Sequence, residues 1–139
     1  MAHWLVKSEP GCWSWADHVR NGVERWDGVR NHQAANSLKS MQIGDMAFFY
    51  HSVTEKRIVG TLEVVKEAYI DPTDAAGRFV CVDFAARQAL ARPVSLADIK
   101  TNPDLDGMWL LRQSRLSVTP ITEAQWDAIL AMAGGLADD

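Results

Sequence analysis

Met46 to His51 is an almost unbroken apolar run, and beyond the polar segment Val53 to Lys56 a second, β-branched run extends from Ile58 to Tyr69. Successive side chains of a strand point to opposite faces, so an apolar residue at every position marks a central strand covered on both sides. The two runs and the polar segment read as a hairpin of long strands. Gly60, inside the second run, marks a bulge or a close approach of another group to the backbone.

The other elements are placed around this hairpin. Trp4-Leu5-Val6 reads as a short first strand, Phe79 to Ala85 as a strand after the loop Asp71 to Gly77, and Leu116-Ser117-Val118 as a late strand. Ser14 with Asp17, and Thr122 with Gln125, have the spacing of capping boxes and predict a helix ending near Gly22 and a final helix stopped by Gly134. Gln33 to Met41 reads as a helix, and Ser95 caps another that stops before Pro103. Asp27-Gly28 and Gly44-Asp45 are turns. The expected fold is α+β: a mixed β-barrel of five to six strands, closed or nearly closed, with short flanking helices and a ligand site at its mouth. One domain is expected over residues 1–133, with 134–139 as a disordered tail.

The 139 residues, 47% hydrophobic and 23% charged, suit one globular domain able to bury a core without disulfides or metal. Cys12 and Cys81 make neither a disulfide framework nor a metal site, so a reduced cytoplasmic setting is the expectation. No apolar run approaches the ~20 residues of a membrane span, and the first residues lack the pattern of a signal peptide. No membrane, metal or cofactor is expected. The net charge of −4 argues against a protein that coats nucleic acid through phosphates alone. Four of the carboxylates, Glu123, Asp127, Asp138 and Asp139, fall in residues 121–139, which contain no Lys or Arg. A nucleic-acid partner would have to be selected by a pocket.

Four segments combine polar and aromatic residues beyond what a core needs: Lys7 to Pro10, Cys12 to Trp15, Trp26 to Asn31, and Phe48 to Ser52. An extruded base needs aromatic faces for stacking and polar groups for its edge. Ser8, Asn31 and Ser52 suit the edge, and Lys7 and Arg30 suit phosphates. Of the six tryptophans, Trp4, Trp109 and Trp126 read as core, Trp13 and Trp15 divide evenly between core and pocket, and Trp26 has the best claim to a pocket. Lys7 with Glu9 also reads as a surface pair, Asn31 as a helix cap, and His51 as a satisfied structural residue. The alternative is a small enzyme acting on a nucleoside or other small molecule through Lys7, Glu9, Cys12 or His51. His3, His18, His32 and His51 lack metal-ligand spacing, and no phosphate loop or nucleophile elbow is present.

These segments, in this order, resemble the EVE domain family of the PUA-like superfamily, which is related to YTH domains. The stretches that carry the likeness are Trp4 to Pro10, Trp26 to Asn31, Gly44-Asp45, Phe49 to Ser52, Tyr69 to Pro72, and Arg115 to Val118 with Pro120. The resemblance runs from about His3 to Leu130. It implies a PUA-like barrel and a non-catalytic pocket that takes a flipped, modified base: methylated or hydroxymethylated cytosine in DNA, or a modified base in RNA. Carried over by position, Lys7, Ser8 and Glu9 line one side, Trp26, Val29, Arg30 and Asn31 a second, and Tyr50, His51 and Ser52 a third; Trp13 is counted as a further pocket residue. Leu116 and Arg115 support the floor, and Lys7, Arg30 and Arg115 meet phosphates. A monomer is expected. The chain departs from the family pattern at Trp13, where a smaller aromatic is usual, at His32, where tyrosine is common, and at Ala35, where an arginine suited to a phosphate is common.

Overall fold

The computed structural model describes residues 1–137. Six strands form one mixed sheet: β1 His3–Ser8, β2 Val23–Trp26, β3 Met46–His51, β4 Arg57–Ile70, β5 Val80–Ser95 and β6 Val118–Ile121. The helices are α1 Trp15–Asn21, α2 His32–Ser40, α3 Leu96–Thr101, α4 Trp109–Arg112 and α5 Glu123–Ala133, with a 3-10 turn at Pro103–Leu105. The strand order is β2-β5-β4-β3-β1-β6. Only β1 and β3 run parallel, and that pairing needs a crossover, supplied by α1, β2 and α2.

The expected α+β architecture is present, but the barrel does not close. The sheet ends at β2 and β6 and is strongly curved. Register shifts at four points between β4 and β5 supply bends of the kind that bulges produce. Alternation along β1 and β3 explains their apolar runs. Trp4, Val6, Ala47 and Phe49 join one core with Trp26, Leu38 of α2 and Phe84. Leu5, Phe48 and Tyr50 join a second core under Ile99, Leu105, Met108 and Ile129. Gly60 does mark a close approach, for a Cβ there would lie 2.6 Å from the Trp15 ring.

Both capping boxes form, at Ser14 and at Thr122. Other boundaries differ from expectation. β5 runs on from Ala85 to Ser95 although Arg87 to Pro93 has little β-branched character, because β4 continues to pair with it through Ile58↔Val94. Pro93 is tolerated there because β2 pairs only with residues 82–85, leaving that side of β5 without a neighbouring strand. The late strand starts at Val118, two residues beyond the predicted start, and β2 and α4 were not foreseen from the sequence. Residues 135–137, expected as tail, lie against the open side of β5: Ala91 N–H donates to Gly135 O at 2.9 Å and Ala137 N–H to Ala89 O at 2.8 Å. Asp138 and Asp139 lie outside the described residues.

Candidate functional site

Where β1 ends, its last residues face β2 across a cavity of about 420 Å³, lined by Lys7, Ser8, Cys12, Trp13, Glu24, Arg25, Trp26 and Asp27. That volume falls in the range of small-molecule pockets. After β1 the chain turns back on Glu9, whose carbonyl accepts the N–H groups of Cys12 at 2.9 Å and Trp13 at 3.0 Å. The Ser8 hydroxyl donates to the Trp13 carbonyl, which fixes the turn to the strand end.

The two indoles are held by different means. Trp26 is almost fully buried and meets Phe49 and Phe84 edge-to-face, with ring centroids 5.4 and 5.8 Å apart. Trp13 is half-buried and donates its indole N–H to His18 Nδ1 at 3.1 Å. His18 is fully buried, and its Nε2 lies 2.9 Å from the Phe84 carbonyl. A carbonyl can only accept and an indole N–H can only donate, so His18 is neutral with its proton on Nε2. Burial pushes its pKa down, with the Phe84 carbonyl and Glu24 pulling the other way.

The loop that follows Trp26 is clasped from β4's far end. The buried Asp71 carboxylate accepts the Gly28 N–H at 2.8 Å, Arg30 Nη1 at 3.1 Å and the Thr73 N–H at 2.7 Å. Burial alone would raise the Asp71 pKa, but the bonds from Thr73, Gly28 and Arg30 outweigh it and hold the group at about 2. Arg30 also meets Thr73 Oγ1 at 3.0 Å and lies over the Phe79 ring.

The charges around the cavity are mixed. Arg25 Nε pairs with Asp27 at 2.7 Å on the exposed rim. Lys7 Nζ donates to the Ser114 carbonyl at 2.7 Å, and burial lowers its pKa to about 8. A second hollow of about 330 Å³ opens beyond Ser114, lined by Asn31, Arg112, Gln113, Ser114, Arg115 and Leu116.

Of the residues assigned from the sequence to a base pocket or to phosphates, the structure brings Lys7, Ser8, Trp13 and Trp26 to one cavity. The rest lie elsewhere. Glu9 caps the turn, and Val29 is packed in the core. Asn31 caps α2 through the Ala34 N–H and borders the second hollow with Arg115 and Leu116. Tyr50 belongs to the core on the opposite face of the sheet, its ring 5.9 Å from Lys7 Nζ. His51 is occupied on both nitrogens: Nε2 accepts the Trp15 N–H at 3.0 Å and Nδ1 meets Glu55 at 2.9 Å. Ser52 ties its backbone N–H to Ser8 O. Arg30 is committed to Asp71. Of the four residues of the enzyme alternative, Lys7 and Cys12 line the cavity, while Glu9 and His51 do not.

Sequence reasoning missed Glu24 as a lining residue, His18 as the support of Trp13, and Arg112 beside Arg115. A signal for the first existed. Val23 to Trp26 ends in an aromatic flanked by charges, and once the segment is a strand its alternation sends Glu24 and Trp26 to the same side. His18 carried no signal, because its partner Phe84 is 66 residues away.

A family model described as the EVE domain matches residues 2–132. Human thymocyte nuclear protein 1 is 32% identical over 170 residues, covering 94% of this chain and 73% of that protein. An NMR structure of a Rhodopseudomonas palustris protein superposes with a TM-score of 0.91 at 51% identity, covering 96% of this chain and 94% of the other. A crystal structure of the human THYN1 protein in complex with 5-methylcytosine-containing DNA superposes with a TM-score of 0.87 at 33% identity, covering 96% of this chain and 98% of the other.

Proposed function

The chain belongs to the EVE domain family, and from that premise we propose that it is a non-catalytic module that takes a modified cytosine of DNA into the cavity between Trp13 and Trp26. One observation carries the reading: the cavity combines two indoles with both kinds of polar group that a cytosine edge requires. Glu24 and Asp27 can accept from the exocyclic amino group, as acidic side chains do for cytosine. Lys7 and Arg25 offer donors for the acceptor atoms of the ring, while the Ser8 hydroxyl, whose one proton goes to the Trp13 carbonyl, can only accept. Stacking supplies about 1–3 kcal/mol per base. The DNA-bound human relative supports the same partner class.

A base inside a duplex cannot reach such a cavity, so binding proceeds by base flipping. Modified RNA is the second carrier to be compared. The position of His51 favours binding over catalysis, since both its nitrogens are occupied away from the cavity; Glu9 does not line the cavity, although its carboxylate meets the Cys12 thiol at 3.9 Å. We place the protein in the cytoplasm as a monomer.

Titration with matched DNA and RNA oligonucleotides carrying cytosine, 5-methylcytosine or 5-hydroxymethylcytosine tests the reading. Tighter binding to a modified DNA strand is expected. Equal, salt-limited binding to every DNA would overturn it, and preference for a modified RNA would move the carrier to RNA.

A further inference from the structure

The second hollow has a chemistry of its own. Two arginines, Arg112 and Arg115, line it with Gln113, Ser114 and Asn31, and among the described residues no carboxylate does. Five of the nine arginines, Arg20, Arg25, Arg30, Arg57 and Arg87, each meet an acidic side chain, whereas Arg112 and Arg115, like Arg78 and Arg92, do not among the described residues. Arg112 is nevertheless held in place, its guanidinium 4.8 Å from the centre of the Trp109 ring. Asn31, on the same hollow, opens α2, a nine-residue helix with no acidic residue in its first turn. The partial positive charge of that end adds to the arginines.

The hollow is joined to the base cavity by one contact. Lys7 lines the first cavity and donates to Ser114 O at 2.7 Å, so its ammonium sits at the junction. Lys7, Arg112 and Arg115 therefore form a positive patch on a chain whose net charge is −4. A strand that delivers a base to the Trp13–Trp26 cavity must carry its phosphates past the cavity mouth, and this patch borders it.

We infer that the Arg112–Arg115 hollow is a phosphate subsite, which receives a backbone phosphate of the strand whose base occupies the neighbouring cavity. The inference rests on the base-binding reading and adds the path of the strand. Arg30 is paired with Asp71 and Thr73, whereas Arg112 has no acidic partner among the described residues. Guanidinium groups suit this role because two parallel N–H donors match two phosphate oxygens.

The test compares the parent with the double variant Arg112→Gln/Arg115→Gln, its fold checked by thermal melting. The control is Lys39→Gln/Lys100→Gln, which removes the same charge from exposed helix positions away from the hollow. The probes are 5-methyl-2′-deoxycytidine and a single-stranded oligonucleotide with one 5-methylcytosine, titrated over a range of salt. The arginine variant is expected to bind the nucleoside within about twofold of the parent. Its oligonucleotide affinity at low salt should fall at least tenfold, and its slope of log K against log salt should shrink by ~0.7, the contribution of one lost phosphate contact on a single strand. The control should keep the parent slope. An unchanged slope in the arginine variant, or an equal loss in the control, overturns the subsite. If the parent ignores the nucleoside while the arginine variant still loses slope, the base reading fails and the phosphate subsite stands.

Discussion

The Trp13 indole N–H and His18 Nδ1 form a single 3.1 Å hydrogen bond that ties a half-buried wall of the cavity to a fully buried histidine. Because His18 gives its own proton to the Phe84 carbonyl, the arrangement requires the neutral ring. Protonation would turn Nδ1 into a donor facing another donor.

A pH dependence follows. Burial holds the His18 pKa below its ordinary 6.5, so between 6.5 and that lowered value the unfolded chain binds a proton that the folded chain refuses. Stability falls as pH drops through that window. In His18→Leu this component is absent, so its stability changes less with pH from 6.5 downward. At neutral pH the variant is less stable by about 2 kcal/mol, chiefly because the Phe84 carbonyl loses its buried partner. Urea denaturation at several pH values checks both effects, and parallel pH curves for parent and variant would contradict the assignment.

Asp71 makes the opposite prediction. Its pKa of about 2, against an ordinary value near 3.8, stabilises the fold above pH 4 and is lost as pH falls from about 4 toward 2. The shift corresponds to about 2 kcal/mol. Asp71→Asn should lose a similar amount at pH 7, show a weaker acid dependence, and loosen the loop from Asp27 to Arg30. Hydrogen exchange of the Gly28 amide, which Asp71 accepts at 2.8 Å, reads the loosening. Unchanged protection there would count against the clasp.

Lys7 is placed for binding at a cost to stability. Burial lowers its pKa to about 8, so between pH 8 and 10.5 the unfolded chain holds more protons and stability rises with pH. Lys7→Met should melt higher than the parent at pH 7, with the difference shrinking as pH rises toward 10.5. The same substitution should weaken oligonucleotide binding. A variant that melts lower at pH 7 would show that the 2.7 Å bond to Ser114 outweighs the burial penalty.

Gly60→Ala tests the seating of α1. The new methyl would sit 2.6 Å from the rigid Trp15 ring, so the helix start must shift. A cost of about 1–3 kcal/mol is expected, as for overpacked cores. Because Trp15 is anchored to His51 and lies two residues from Trp13, oligonucleotide affinity should fall too. An unchanged denaturation midpoint would mean that the ring yields freely.

Local chemistry was legible in the sequence and long-range pairing was not. The apolar run at Met46 announced a strand covered on both faces, and Ser14 and Thr122 announced their helices, because each signal lies within a few residues. β5 beyond Ala85 was hidden because Arg87 to Pro93 is a strand only through its pairing with β4. Within the candidate site, Trp26 stood out as an aromatic between charges. Tyr50 and Phe49 are neighbours in sequence, yet the strand's alternation sends them to opposite cores, so no motif reading could place both beside Trp26. Arg30 and Arg115 look alike as isolated cations. Only the fold shows that one is bound to Asp71 and the other borders an open hollow.

The most direct measurement is NMR of an oligonucleotide whose single 5-methylcytosine carries a ¹³C-labelled methyl group, titrated with the protein. If the base lies between the indoles, ring currents move the methyl proton resonance, and it shows cross-relaxation to Trp13 and Trp26 ring protons. Trp26→Ala should remove the shift. A methyl resonance that stays in place at saturation, with contacts to other residues only, would contradict the claim that this cavity receives the modified base.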